Sequence, residues 1–155
     1  MISEVRRIDE NELDRVKGLR PLPEVFVSAL DNAESRLVVQ KLGMDLGIPV
    51  VQGGTGIFAA DCVTQVPGGP SIDDQLRGAM TAAAVRERSR IRGNGCNAEP
   101  AYVVPSMMCG ALVALRVLQL YQSRQPRPPI RWRAGGAPVE ERSQSHASNF
   151  TDLLS

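Results

Sequence analysis

Val25-Phe26-Val27-Ser28-Ala29-Leu30-Asp31-Asn32-Ala33-Glu34-Ser35-Arg36 carries an apolar, partly β-branched run straight into a carboxylate and then into helix-forming sequence. Such a run reads as a buried parallel strand of an open α/β sheet, and ligands of these sheets bind outside the carboxyl ends of the strands, where Asp31 falls. Asp31 is therefore a candidate for holding magnesium or a phosphate-bound partner. The alternative, on the residues alone, is that it caps the following helix by accepting from a free backbone N–H. Downstream, Leu37, Val38, Leu42 and Leu46 share a helical face, Gly47 is placed to close the helix, and Ile48-Pro49-Val50-Val51 reads as a second short buried strand. Gln52-Gly53-Gly54-Thr55-Gly56 follows, a cluster expected to bring backbone close to a ligand or to turn the chain. Two strand ends then converge on one crevice.

In this order the residues resemble the ThiF, MoeB and E1-like enzymes, which adenylate the C-terminal carboxylate of ubiquitin-like and sulfur-carrier proteins. That family's Asp-Asn-x-x-x-Arg motif is matched by Asp31, Asn32 and Arg36, and its Gly-Ile-Pro-Val strand by Gly47 to Val51. Its Gly-Gly-Thr-Gly turn is matched by Gly53 to Gly56, and the following strand ending in Pro by Phe58 to Pro67. A loop Cys and a small-residue helix start are matched by Cys96 to Gly110, and an Ala-Leu-x-Val-Leu helix by Ala114 to Leu118. The likeness spans residues 22 to 122.

The resemblance implies that Asp31 orients ATP and its Mg2+ and acts as a catalytic residue. It implies that Asn32 and Arg36 support the nucleotide, and that Cys96 carries the activated acyl group. Implied cofactors are ATP and Mg2+; implied partners are a ubiquitin-like or sulfur-carrier protein, with a complementary N-terminal half or a homodimer partner. The family's opening βαβ unit, whose Gly-x-Gly-x-x-Gly loop cradles phosphates on a helix N-terminus, has no counterpart in the sequence, nor do its upstream Arg and Lys residues. The expected fold is thus α/β, a partial Rossmann-like ThiF/E1-type sheet with flanking helices lacking the N-terminal nucleotide-binding unit. On that reading the chain is part of an adenylyltransferase and inactive by itself.

Two other readings stay open. One is a non-catalytic remnant that keeps sheet and apolar helix as a dimerisation or partner-binding module. The other is an unrelated nucleotide-binding oxidoreductase fragment in which Gly53 to Gly56 contact a phosphate, although that cluster lacks the usual dinucleotide spacing.

A chain of 155 residues, 43% apolar, can build one domain, and a net charge of +1 gives no general attraction to nucleic acid or membrane. No apolar run is read as reaching the roughly 20 residues of a bilayer span, and the charged N-terminus has no signal-peptide core, so a cytoplasmic location is expected. Cys62, Cys96 and Cys109 include no Cys-x-x-Cys pair, so no structural zinc is expected and the thiols should be reduced. Cys109 is read as packing within an apolar helix.

Along the chain, Met1 to Pro23 reads as a short strand or amphipathic helix with Val5, Ile8, Leu13, Val16 and Leu19 as its apolar positions. Ser71 is a candidate N-cap, with Asp73 and Asp74 in the first turn of a helix running to about Arg90; Arg86, Arg88, Arg90 and Arg92 read as a solvated basic face. Cys96 lies in the polar, glycine-flanked loop Arg92 to Asn97, where nearby arginines and a helix N-terminus would favour its thiolate. Tyr102 to Tyr121 is the strongest helix, apolar almost all round, with Met107 and Met108 as core filler. Residues 1–122 are read as the adenylation-type domain and 123–155 as a Pro-rich linker and largely disordered polar tail, in which Ile130 to Arg133 can add one edge strand. His146, the single histidine, has no candidate partner, so neither a Ser-His-Asp triad nor a histidine metal site is expected.

Overall fold

The computed structural model describes residues 16–18, 20–91, 103–123, 125 and 127–140. Cys96 with its loop Arg92 to Asn97, His146, and Val5, Ile8, Leu13 and Leu19 lie outside the described residues. The elements are β1 (Phe26–Ser28), α1 (Ala33–Leu46), β2 (Val50–Thr55), β3 (Ala59–Gln65), α2 (Ile72–Gln75), α3 (Ala79–Ile91), α4 (Val103–Ser123), β4 (Ile130–Arg133) and β5 (Val139–Glu140). The strands form one mixed sheet in the order β1-β2-β3-β4-β5. β1 runs parallel to β2, with Ser28 opposite Gln52, as expected for a strand–helix–strand crossover; the remaining pairs are antiparallel.

Alternation along the strands divides the core in two. Val51, Ala60, Cys62, Ile130 and Trp132 pack with Leu112 and Leu120 of α4 on one face of the sheet. Val50 and Val63 pack with Val39 of α1 and Ile72 of α2 on the other. A sheet buried on both faces explains why the strand at Val50-Val51 is a continuous apolar run rather than an alternating one.

The helix boundaries follow from local chemistry. Asn32 is in an extended conformation and its side chain accepts from the Ser35 N–H at 2.7 Å, so Asn32 is the N-cap of α1. The cap is thus one residue later than the position read for Asp31 as the alternative to a ligand role. Gly47 closes α1 in the left-handed region, φ 64°.

The helix expected from Ser71 to Arg90 is instead two helices. Ser71 caps a single turn through a reciprocal capping box with Asp74. Arg77 at φ 54° and Gly78 at φ 75° then turn the chain out of helical geometry. The Asp73 carboxylate restarts it, accepting from the N–H groups of Met80 at 2.9 Å and Thr81 at 3.2 Å at the start of α3. Asp73 therefore serves a helix other than the one it sits in, which the sequence pattern alone does not show.

Gln52 to Thr55 do not turn the chain; they are the second half of β2, paired with β3 from Val63 to Ala60. The glycines have a packing cause. A Cβ on Gly53 would lie 2.5 Å from Cys109 Sγ and 2.9 Å from Val113 Cγ2, so its absence lets α4 settle directly on the sheet.

A layer of buried glutamines fastens the other face. Gln40 Nε2 donates to Gln52 Oε1 at 3.4 Å and Gln65 Nε2 to the Gln40 carbonyl at 3.0 Å. Gln65 Oε1 and Gln40 Oε1 accept from the first N–H groups of α2, those of Ile72 at 3.3 Å and Asp73 at 3.1 Å. Side-chain amides thus satisfy helix donors that a one-turn helix cannot, in a place closed to water.

β4 forms where the sequence indicated, but it is not an edge: Val139 and Glu140, expected within the polar tail, pair with Arg131 and Ile130 as β5. The sheet therefore takes in residues beyond 122. α4 is 21 residues long and an 18-residue stretch of it has a mean hydropathy of 1.7, long and apolar enough to cross a membrane by length and composition, contrary to the expectation that no run reaches that size. One side of it packs on β2 and β3 through Cys109, Leu112 and Val113.

Candidate functional site

β1 ends at Ser28, and Ala29, Leu30 and Asp31 carry the chain past the end of the sheet into α1. Asp31 is exposed; its Oδ1 accepts from Asn32 Nδ2 at 3.2 Å while the Asn32 carbonyl oxygen of the amide holds the cap. This places the carboxylate at the start of a helix, a position that favours anions and anion-bound cations.

Arg36, one turn into α1, donates from Nε to the Leu30 carbonyl at 2.6 Å, bracing the segment that presents Asp31. The same guanidinium reaches the surface of Gly54: a Cβ there would lie 3.5 Å from Arg36 Nη1 and 2.5 Å from Asp61 Oδ1. Asp61 faces Gly54 across β2–β3 and faces Arg131 across β3–β4. Arg36, Asp61 and Arg131 are therefore gathered on one face of the sheet, above a backbone kept bare at Gly54. Asp61 and Arg131 escaped the sequence reading. The period-2 alternation of Asp61, Val63 and Gln65 was the available signal, but it assigns a partner only once the register with Gly54 is known.

This geometry argues against a phosphate resting on the glycines. The space at Gly53 is filled by Cys109 and Val113, and the surface of Gly54 faces a carboxylate. The oxidoreductase alternative is thereby left without the phosphate contact at Gly53 and Gly54 on which it relied.

The two described cysteines are poor nucleophiles. Burial pushes the Cys62 thiol up to about 12, against the opposing pull of the Arg116 guanidinium. Burial also raises Cys109, with the Asp61 carboxylate adding to the effect and Arg36 opposing it. Cys96, the thiol proposed from the family likeness, is outside the described residues.

Among the described residues no three His, Cys, Asp or Glu side chains gather so as to hold a metal. Asp31 as a single carboxylate fits only a cation brought by a phosphate ligand, which is how Mg2+ is commonly bound, with one or two carboxylates, phosphates and water. A cavity of ≈ 220 Å³ lined by Gly43, Met44, Gln65 and Val66 to Gly69 lies elsewhere. Gln65 pairs with Val50 at the beginning of β2, the opposite end of the sheet from Asp31.

Solved structures share the fold. E. coli MccB, determined with AMPCPP and MccA, matches with a TM-score of 0.59 at 13% identity over 86% of this chain and 41% of that one. PaaA matches with a TM-score of 0.51 at 14% identity over 83% of this chain and 45% of that one. The fold is a distant ThiF-like one. Its five-stranded mixed sheet with helices on both faces is a partial Rossmann-like α/β arrangement, and the chain spans less than half the length of either structure. No protein-family model matches the sequence, and no curated protein does.

Proposed function

We propose that this chain is part of a ThiF-family adenylyltransferase that activates the C-terminal carboxylate of a ubiquitin-like or sulfur-carrier protein with ATP, and that it works in the cytoplasm together with a complementary nucleotide-binding half. The observation that carries this reading is the exposed Asp31 at the carboxyl end of β1, flanked by the start of α1 and braced through Arg36, in a fold like that of MccB, which was solved with a nucleotide and a second polypeptide.

Adenylation depends on neutralising phosphate charge and aligning a carboxylate with the α-phosphorus more than on proton transfer. Mg2+ carried by ATP supplies much of that neutralisation when bound. In this proposal Asp31 accepts the cation, Asn32 fixes the backbone that presents Asp31, and Arg36 holds the Leu30 carbonyl so that the carboxylate stays in place. The Cys96 thiolate then attacks the carbonyl of the acyl adenylate and AMP leaves, giving a thioester on Cys96. No zinc is required.

The test is carrier-dependent ATP/pyrophosphate exchange by a complex with the nucleotide-binding half. Asp31→Ala is expected to lower exchange by about 10²-fold. Unchanged exchange would leave Asp31 as a residue flanking a helix cap.

The Cys96 role has its own check. With iodoacetamide at pH 8, Cys96 is expected to alkylate at least tenfold faster than Cys62, since the thiolate is the reacting form and Cys62 titrates at about 12. Equal rates would remove Cys96 as the acyl acceptor.

A further inference from the structure

Cys62 and Cys109 are free thiols from distant parts of the chain that meet in one apolar cluster between β3 and α4. Strand register brings them together. Cys62 stands directly opposite Gly53 in the β2–β3 pair, and side chains so placed share a face with their Cβ positions about 5 Å apart. Gly53 has no Cβ, and Cys109 Sγ takes up its place, 2.5 Å from where that Cβ would be. The same sulfur lies 4.0 Å from the carbonyl oxygen of Asp61, the residue bonded to Cys62. Cys109 thus stands in for the missing cross-strand neighbour of Cys62. Burial pushes the Cys62 thiol up, and the nearby Cys109 adds to the rise.

A disulfide needs Cβ atoms about 3.5 to 4.5 Å apart and sulfurs turned toward each other. With α4 resting on bare backbone at Gly53, side-chain rotation supplies that turn while the helix stays in place. The two thiols differ in access: Cys62 is fully buried and Cys109 is partly exposed, so an oxidant reaches Cys109 first.

We propose that Cys62 and Cys109 are a redox pair whose reversible disulfide fastens α4 to β3, with a low-molecular-weight disulfide as the oxidant. The Cys109 thiolate attacks one sulfur of the oxidant, whose S–S bond breaks to release a first thiolate. Cys62, its proton lost to solvent, then attacks Cys109 Sγ, and the second oxidant thiolate leaves. Two protein thiols give up two protons and two electrons, and the oxidant becomes two thiols. Burial that raises both protein thiols makes the exchange slow. The ring so closed, residues 62 to 109, contains α2, α3 and Cys96. The pair is independent of nucleotide chemistry and survives failure of the adenylation reading.

Refolding the full chain carrying Cys96→Ser from urea, in a mixture of oxidised and reduced glutathione, removes access to Cys62 as a variable. The expected product is a monomer lighter by two hydrogens, with the peptides bearing Cys62 and Cys109 joined. Its urea midpoint is expected to lie about 1 M or more above that of the same chain in dithiothreitol, and to return when dithiothreitol is added. Cys62→Ala and Cys109→Ala are each expected to show the same midpoint in both buffers. Two free thiols, a lasting glutathione adduct, disulfide-linked dimers, or a joined chain with no gain in midpoint would each overturn the proposal.

Discussion

Arg116→Ala is expected to destabilise the fold by about 3 kcal/mol, measured as a lower urea midpoint at constant slope. Arg116 is 1% exposed in the middle of an otherwise uncharged helix. Its Nη1 donates to Gln119 Oε1 at 2.7 Å and pairs with Glu140 Oε1 at 3.2 Å, and its Nη2 donates to the Pro128 carbonyl. One guanidinium therefore ties α4 to the segment entering β4 and to β5. Burial pushes the group down in pKa and Glu140 pulls against that shift, but an arginine remains charged throughout the neutral range.

Truncation removes buried volume and leaves the Pro128 carbonyl without this donor, and both effects have the same sign. Arg116→Met separates them. It retains most of the volume and brings no charge to bury, so its expected cost is about half that of alanine. Equal costs would mean that the bonds to Pro128 and Glu140, which both variants lose, account for the effect and the buried volume contributes little. Glu140 is 44% exposed in its side chain, so Glu140→Gln is expected to cost less than about 1 kcal/mol.

The sequence made the strand–helix–strand unit β1, α1 and β2 legible because each signal there is local. The run to Leu30, the cap residues, Gly47 and the strand at Val50 each stand next to the element they define, and β1, α1 and β2 form in the predicted order. What escaped depends on pairing across the chain. Gly53 and Gly54 resemble a turn until the register sets Cys109 and Val113 above one and Asp61 above the other. Asp73 resembles a first-turn acid of its own helix until Arg77 and Gly78 bring the start of α3 back onto it. Arg116 resembles a lapse in an apolar helix until β5, too short for a pattern to reveal, supplies Glu140. At the candidate site the same division holds. Asp31 and Arg36 are visible from a motif six residues wide, whereas Asp61 and Arg131 join them only through strand register.

Gly43→Ala is expected to destabilise the protein by about 2 kcal/mol, the reverse of what helix propensity predicts. Gly43 lies inside α1, where replacing glycine by alanine ordinarily stabilises by about 1 kcal/mol. Here an added Cβ would overlap Val50 Cγ2 and stand 2.9 Å from the Ile48 carbonyl oxygen. Neither neighbour can yield easily. Val50 is 0% exposed and packed with Val39, Val63 and Ile72, and Ile48 is held by its own N–H donating to the Gly43 carbonyl at 2.9 Å. The helix would have to lift from β2, which strains the Gln40–Gln52 contact at 3.4 Å and loosens the apolar packing around Val39. Overpacking of this kind costs about 1 to 3 kcal/mol and exceeds the propensity gain. Gly47→Ala separates close approach from conformation: nothing stands within 4 Å of its added Cβ, so its expected cost, about 1 kcal/mol, arises only from φ 64°. If Gly43→Ala instead raised the urea midpoint, α1 would have to sit farther from β2, and the bracing of Asp31 through Arg36 would loosen with it.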